Sequence, residues 1–484
     1  MSLVLAIDAG TTSVRAAVVD AAGRLAGLNA VALETRHPAP GLAEQDAEAL
    51  WRATRAAMRR ALQRSGSQVS QIAGLGLATQ RASVVVWDNG RGGALSPLVL
   101  WSDLRGTEAA ARLREAGFFL SAQQAAAKLP LVVASTERQP SRLAWGGLDS
   151  FLLHRLTGGE LHASDPSQMW PTGYLALPDL ARNTALIERQ GLKDIAFPAA
   201  IETWGELGRT DPRVLGAVIP ITASVADQSA ALVAHGEEIG TAKFSWGTSG
   251  TFDLVTGGLD VSGLPALPPL VVTAFGGAVR FCIEGMILSA GSAVDWLRQT
   301  IRAGTIAEFE RLVAQAQASP IGSGGIALLP ALHGLGAPHP DPRARGLLAG
   351  LTAGSSRGQI ALAGYEGLAF RARQIVERSG LAAGAPVGAD GGLSRSPAFL
   401  QILADLTGRP VRPLASPEAT LLGAALLARR GAGFDGEPGF RAGFAPRQTL
   451  EPAIGADEAG ARFAAWEAVV APRSAGTQSD GTME

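Results

Sequence analysis

Near the start of the chain, an acid, a glycine and three hydroxyls stand together between two apolar stretches. Asp8-Ala9-Gly10-Thr11-Thr12-Ser13 lies between Leu3–Ile7 and Val14–Val19. Such a turn offers backbone N–H groups and hydroxyls to an anion, while the carboxylate can hold a cation at a distance. That pairing suits a magnesium-bound triphosphate. A similar turn recurs far along the chain as Trp246-Gly247-Thr248-Ser249-Gly250, again between apolar residues. Ordinary hairpins use the same residue types. A second copy is harder to explain as a mere connector, and it suggests two related halves acting on one phosphate chain.

Other polar residues stand where chemistry is possible. Asp227 and Gln228 open an alanine-rich apolar segment. An aspartate there commonly serves as an N-cap or first-turn acid. The chemical alternative is a general base that takes the proton of a hydroxyl attacking a γ-phosphorus. Asp390-Gly391-Gly392 is expected to follow a loop and open a helix, where glycines let the backbone approach a flat ligand or a phosphate; a plain glycine-rich helix start explains it as well. Thr79-Gln80-Arg81-Ala82 and Trp101-Ser102-Asp103-Leu104-Arg105 follow apolar strands. A polyol needs a few fixed donors and acceptors with an apolar wall for its C–H faces. Surface loops around a buried tryptophan account for the same spacing.

These residues must be held by a scaffold. Leu3–Asp8, Val14–Asp20 and Leu25–Ala32 read as an antiparallel meander. Glu44–Arg64 reads as an amphipathic helix, Ile72–Thr79 and Val84–Trp87 as strands, and Leu148–Leu156 as a helix ending at Thr157-Gly158-Gly159. Ala223–Ala234 begins at a turn and becomes a helix. His235–Gly240 is the linker candidate, after which the strand–turn–strand pattern begins again. Helices are expected at Ala290–Arg302, Thr305–Gln317, Gly358–Ser379, Pro397–Leu406 and Ala419–Arg430. The fold class is α/β, with strands opening each half and helices following. The expected division is 1–236 and 237–472, with a disordered tail at 473–484.

Composition removes several function classes. The 484 residues carry 42 basic and 43 acidic side chains, a net charge of −1, so no nucleic-acid partner is expected. One cysteine, Cys282, excludes an intrachain disulfide and fits a reducing cytoplasm. No signal peptide and no membrane span are expected, and the histidines show no metal-ligand spacing. The three lysines, Lys128, Lys193 and Lys243, are read as a codon bias without functional bearing. No glycine precedes any of them, which excludes a P-loop; no G-x-G-x-x-G opens a helix after a strand, and no G-x-S-x-G nucleophile elbow is expected.

Taken together, the segments resemble the FGGY carbohydrate kinases of the actin/hexokinase/Hsp70-like ATPase superfamily. The likeness runs from Asp8 to about Arg429 through markers in the expected order. They include DAGTTSVR at Asp8–Arg15, TQR at Thr79–Arg81, WSDLR at Trp101–Arg105 and ASDPS at Ala163–Ser167. ADQSAAL at Ala226–Leu232, WGTSG at Trp246–Gly250, DGGLSRSP at Asp390–Pro397 and PEATLLGAALLA at Pro417–Ala428 follow. The resemblance implies two actin-like (ribonuclease H-like) domains, each a mixed sheet flanked by helices, with ATP and sugar in a central cleft. It implies that Asp227 is the catalytic base and that Asp8 and Asp227 hold Mg2+ through water. It also implies that Gly10, Thr11, Thr12, Arg15, Gly247, Thr248 and Gly291 meet the phosphates, and that Gly391 and Gly392 border the adenosine. A monomer or homodimer without membrane or nucleic-acid partners is expected.

Within that family, Gln80, Arg81, Trp101, Asp227 and Gln228 resemble the polyol contacts of glycerol kinases. Those enzymes follow the arginine with a glutamate, where this chain has Ala82. They also place a tyrosine about five residues before the position of Lys128, where this chain has Gln123. Loss of a hydrogen bond to a charged group is worth about 1.5–3 kcal/mol. The acceptor is therefore left as a polyol or a ketose, with a ketopentose as the alternative. A non-catalytic ATP-binding sensor and a decayed kinase are the competing readings.

Overall fold

A computed structural model describes residues 3–90, 92–118, 120–176, 179–259, 267–434 and 439–474. Two compact units emerge. The first comprises Met1–Ala234, Leu270–Phe281 and Ala419–Phe444; the second comprises His235–Pro269, Cys282–Glu418 and Ala445–Glu484. The expected division was into contiguous stretches, whereas each unit found here is assembled from three. The tail expected from about Arg473 lies, from residue 475 on, outside the described residues; Arg473 and Ser474 close a helix that begins at Ala456.

The first unit is built on a six-stranded mixed sheet. Its strands are β1 (Leu3–Ala9), β2 (Ser13–Val19), β3 (Leu25–Ala32), β4 (Ile72–Thr79), β5 (Trp204–Arg209) and β6 (Pro220–Ala226), in the order β5-β6-β4-β1-β2-β3. The meander β1-β2-β3 is antiparallel, as its sequence predicts, while β4 runs parallel to β1 and β6 parallel to β4. β1 and β4 are apolar up to Asp8 and Thr79, and β6 carries only the small hydroxyls of Thr222 and Ser224, because helices cover both faces. On one face, the Ala47–Ser65 helix sets Leu50 and Met58 among Leu5, Val14, Val18 and Leu75. That helix starts three residues later than expected. Glu44 and Gln45 pair with Val99 and Leu98 instead, and Asp46 caps the helix by accepting the Ala49 N–H at 2.8 Å.

The other face of this sheet meets the Ala419–Gly431 helix, which arrives from late in the chain. Gly76 makes the close approach possible: a Cβ there would stand 2.3 Å from the Ala424 carbonyl oxygen. Thr222 Oγ1 donates to the Ala428 carbonyl at 2.9 Å, so the last helical turn is held as well. The segment expected to begin at a turn at Ala223 is in fact β6 up to Ala226. The Asp227–His235 helix starts directly from the strand end.

The second unit repeats the plan. A second six-stranded sheet consists of β7 (Ala242–Trp246), β8 (Gly250–Thr256), β9 (Pro269–Phe275), β10 (Ala278–Ile287), β11 (Val387–Gly391) and β12 (Val411–Pro413), in the order β9-β10-β8-β7-β11-β12; Leu270–Phe281, which carries most of β9 and the start of β10, is counted with the first unit. A hairpin, β7-β8, stands beside two parallel strands, β11 and β12, as β1-β2 stands beside β4 and β6. Phe244, Trp246, Phe252, Phe309, Tyr365 and Phe399 fill its core. Asp390-Gly391-Gly392 therefore leaves a strand, not a loop, because Val387–Gly391 pairs with β7. Among the described residues, no helix is long and apolar enough to cross a membrane.

Candidate functional site

Register alone assembles the first half of the site. Ala9 of β1 and Ala226 of β6 both pair with Thr79 of β4, and the three strands are parallel. The residues that leave the sheet, Gly10, Gln80 and Asp227, therefore emerge from one edge at one level. Neighbouring strands lie about 4.8 Å apart, so the outer two of these positions are about 10 Å apart. The carboxyl edge of parallel strands is where α/β sheets present their ligand-binding loops.

The turn after β1 is tightened by the Gly10 N–H donating to the Ser13 carbonyl at 3.1 Å, and Asp8 pairs across the hairpin with Arg15. Thr11 joins this turn to the candidate sugar contacts. Its hydroxyl donates to Gln80 Oε1 at 3.2 Å and accepts from the Trp101 indole Nε1 at 3.2 Å. Gln45, which the sequence reading missed, donates from Nε2 to the Thr11 carbonyl at 2.6 Å and so fixes the turn from below. Thr12 is exposed at its tip, and Arg81, Gln228 and Asp227 are half-buried. The Asp227 carboxylate accepts the Gln228 N–H at 2.8 Å from the first residue of its helix. It thus meets the local backbone as a first-turn acid while standing at the sheet edge.

Lys128 corrects the view that the lysines are incidental. It is fully buried, and its ammonium donates to the Ala82 carbonyl at 3.0 Å and the Leu100 carbonyl at 2.8 Å. It thereby ties the loop carrying Gln80 and Arg81 to the loop carrying Trp101. Burial pulls its pKa down to about 7, with Asp103 opposing the shift and Arg105 adding to it. Asp103 is wholly buried. Burial works against its charge, but hydrogen bonds from Arg105 and the Ala43 N–H hold its carboxyl below the usual range. Ala82 adopts φ +55°, a left-handed conformation at the position that departs from the glycerol-kinase pattern. Gln123 is exposed in the turn before the Ala125–Ala134 helix.

The second unit gathers its candidate residues around one turn. The Gly247 N–H donates to the Ser249 carbonyl at 2.9 Å, closing the β7-β8 turn. The N-terminus of the Gly291–Thr300 helix packs against that turn: the Gly291 N–H donates to the Gly247 carbonyl at 2.9 Å and the Ser292 N–H to the Thr248 carbonyl at 3.1 Å. A Cβ on Gly291 would stand 2.6 Å from the Gly247 oxygen, so only glycine allows this contact. Gly391 pairs with Trp246, has φ +83°, and would place a Cβ 2.6 Å from the Trp246 carbonyl oxygen. Gly247, Thr248, Gly291, Gly391 and Gly392 thus form a bare-backbone cradle at the end of β7, suited to a phosphate or a flat base.

Lys243 lies under this cradle, with no exposed surface, paired with Asp253 at 2.8 Å and donating to Ser245 Oγ at 2.6 Å. Burial opposes its charge, yet Asp253, Asp390 and Glu284 prevail and keep it protonated. Asp390 in turn faces His235 Nε2 at 2.9 Å. The sequence sign of this network is a charged residue in each of four strands, Lys243 in β7, Asp253 in β8, Glu284 in β10 and Asp390 in β11.

Among the described residues, no group of three or more histidine, cysteine, aspartate or glutamate side chains could hold a metal ion. Mg2+ on a nucleotide does not need such a cage, since phosphates and waters supply most of its ligands and one or two carboxylates complete the set. Asp8 and Asp227, ending parallel strands of one sheet, fit that requirement.

Comparison with known proteins shows the family and the fold. The N-terminal domain of the FGGY family of carbohydrate kinases matches residues 3–234, and the C-terminal domain of that family matches residues 242–432. A glycerol kinase of Alkalilimnicola ehrlichii is 34% identical over 97% of this chain and 98% of its own. The crystal structure of Plasmodium falciparum glycerol kinase with ADP superposes with a TM-score of 0.85 at 20% identity, covering 98% of both chains. A xylulose kinase from Rhodospirillum rubrum gives 0.82 at 25% identity over 98% and 99%.

Proposed function

This chain belongs to the FGGY family of carbohydrate kinases, and on that premise we propose which of its residues bind and transfer the phosphoryl group. It is an ATP-dependent phosphotransferase that acts on an alcohol of a polyol or sugar. The observation that carries the assignment of residues is the common register of β1, β4 and β6, which delivers Gly10, Gln80 and Asp227 to one edge.

Asp227 accepts the proton of the acceptor's primary hydroxyl as that oxygen attacks the γ-phosphorus. Gln80, Arg81 and Gln228 hold the other hydroxyls, and the Trp101 ring supplies an apolar wall. Gly10, Thr11 and Thr12 bind the phosphates, with Arg15 close enough to offset their charge. Gly247, Thr248 and Gly291 also meet the phosphates, and Gly391 and Gly392 border the adenosine. Asp8 and Asp227 would hold Mg2+, which when bound offsets charge on the phosphate oxygens. Thr11 bonds both Gln80 and Trp101, so one hydroxyl joins the phosphate turn to the sugar contacts.

The preferred acceptor is a small polyol, supported by a glycerol kinase that shares 34% of its residues over nearly the whole chain. A ketopentose is the second reading, favoured by the xylulose kinase at 25% identity and by Ala82, which adds no carboxylate to the pocket. The buried Cys282 is in keeping with a reducing cytoplasm. A coupled ADP-release screen over C3–C7 polyols, ketoses and sugar acids decides between the acceptors. ADP formation that is independent of every acceptor would favour the sensor instead.

A further inference from the structure

Strand ends leave backbone groups without sheet partners, and those groups must be satisfied by side chains or water. At the ends of β4 and β6 the partners come from one short segment, Pro166–Met169. Ser167 Oγ accepts the N–H of Ala226 at 2.8 Å. Gln168 Nε2 donates to the Thr79 carbonyl at 2.9 Å, to Thr79 Oγ1 at 2.7 Å and to the Val225 carbonyl at 3.2 Å. Ala226 immediately precedes Asp227, and Thr79 immediately precedes Gln80.

Asp165 anchors the segment. Its carboxylate accepts from Ser167 Oγ at 2.9 Å, from the N–H groups of Ser167 and Gln168 at 3.2 Å each, and from Thr203 Oγ1 at 2.9 Å. Because the Ser167 hydroxyl gives its proton to Asp165, its lone pairs remain for the Ala226 N–H. Asp165, Ser167 and Gln168 are each at most 2% exposed, so no water competes for these bonds. One capped turn therefore sets the height of two strand ends at once.

We propose that Asp165, Ser167 and Gln168 are positioning residues for phosphoryl transfer, fixing the peptides from which Asp227 and Gln80 project. This rests on the reading of Asp227 as the base. Displacing a reacting group by about 1 Å can lower a rate a hundredfold, so a bracket of this kind affects kcat more than nucleotide affinity.

The test is a double-mutant cycle in the full chain, comparing wild type, Ser167→Ala, Asp227→Asn and the pair. Glycerol is the acceptor, or D-xylulose where glycerol is not turned over. Ser167→Ala is expected to lower kcat about tenfold to a hundredfold with the KM for ATP within about twofold. Ser167→Thr, which keeps the hydroxyl, should restore most of the rate. In the Asp227→Asn background, Ser167→Ala should add less than about twofold. Wild-type kcat in a folded Ser167→Ala protein overturns the proposal, as does an equal loss in both backgrounds, the mark of a purely structural role. If Ser167→Ala does not fold, Thr203→Val carries the same comparison by deleting one donor to Asp165. Wild-type turnover in Asp227→Asn would instead refute the base assignment, and the bracket with it, which separates the two failures.

Discussion

At the scale of single residues, substitution of two buried or half-buried groups has separable consequences. Asp227→Asn keeps the shape of the side chain but cannot take a proton. Turnover should fall about a hundredfold or more while ATP binding by calorimetry stays unchanged. Lys128 makes a pH prediction. Its folded pKa of about 7 lies below the ordinary lysine value of 10.5. The folded state therefore binds this proton more weakly than the unfolded chain does. The resulting penalty is full below about pH 7 and is relieved as pH rises from there toward 10.5. The melting-temperature difference between wild type and Lys128→Met should move in favour of wild type across that window; a difference that moves against wild type or stays flat would contradict the lowered pKa of the buried amine. The sequence marked Asp8, Asp227 and the glycines because their residue types are unusual between apolar strands. It did not mark Lys128, Lys243, Gln45 or Gln168. Their importance comes from partners such as Ala82, Asp253, Thr11 and Val225, brought close only by the fold.

At the scale of elements, close backbone approaches decide which substitutions are tolerated. A Cβ at Gly291 has to displace the Gly247 carbonyl, 2.6 Å away, and so must deform the turn it supports. Gly291→Ala should raise the KM for ATP about tenfold through a distorted cradle and leave the acceptor KM nearly unchanged; steady-state kinetics with each substrate varied checks this. Gly76→Ala pushes on the Ala424 carbonyl at 2.3 Å and separates a helix from its sheet. Overpacking of this kind typically costs about 1–3 kcal/mol, to be read as a lower denaturation midpoint with unchanged substrate affinities. The strands and helices themselves were largely legible. β1 to β4 and most of the long helices follow from apolar runs bounded by glycine, proline and capping residues. The errors lay at junctions. Asp227 follows a strand directly and Asp390 lies within one, and the apolar strand stretches at Ala223–Ala226 and Val387–Ala389 read as turn or loop because short buried strands carry no period of their own.

At the scale of the whole molecule, the repeated hairpin and its two parallel partners show why similar turns recur at Gly10–Thr12 and Gly247–Ser249. The contiguous division was not the one adopted, since no local pattern reveals that the Ala419–Gly431 helix returns to the first sheet. A chain ending at Glu418 should accordingly lose the cooperative unfolding of its first unit, because the face around Gly74 and Gly76 would be left uncovered; circular dichroism during thermal melting tests this. The central claim is direct transfer of the terminal phosphoryl group to an alcohol with Asp227 accepting its proton. A single-turnover experiment with γ-labelled ATP and the best acceptor of the screen tests it most directly. The account predicts label in an acid-stable phosphate ester of the acceptor for wild type, and at least about a hundredfold slower ester formation for Asp227→Asn with equal ATP occupancy. Label released only as inorganic phosphate, or ester formed at the wild-type rate by Asp227→Asn, would contradict it.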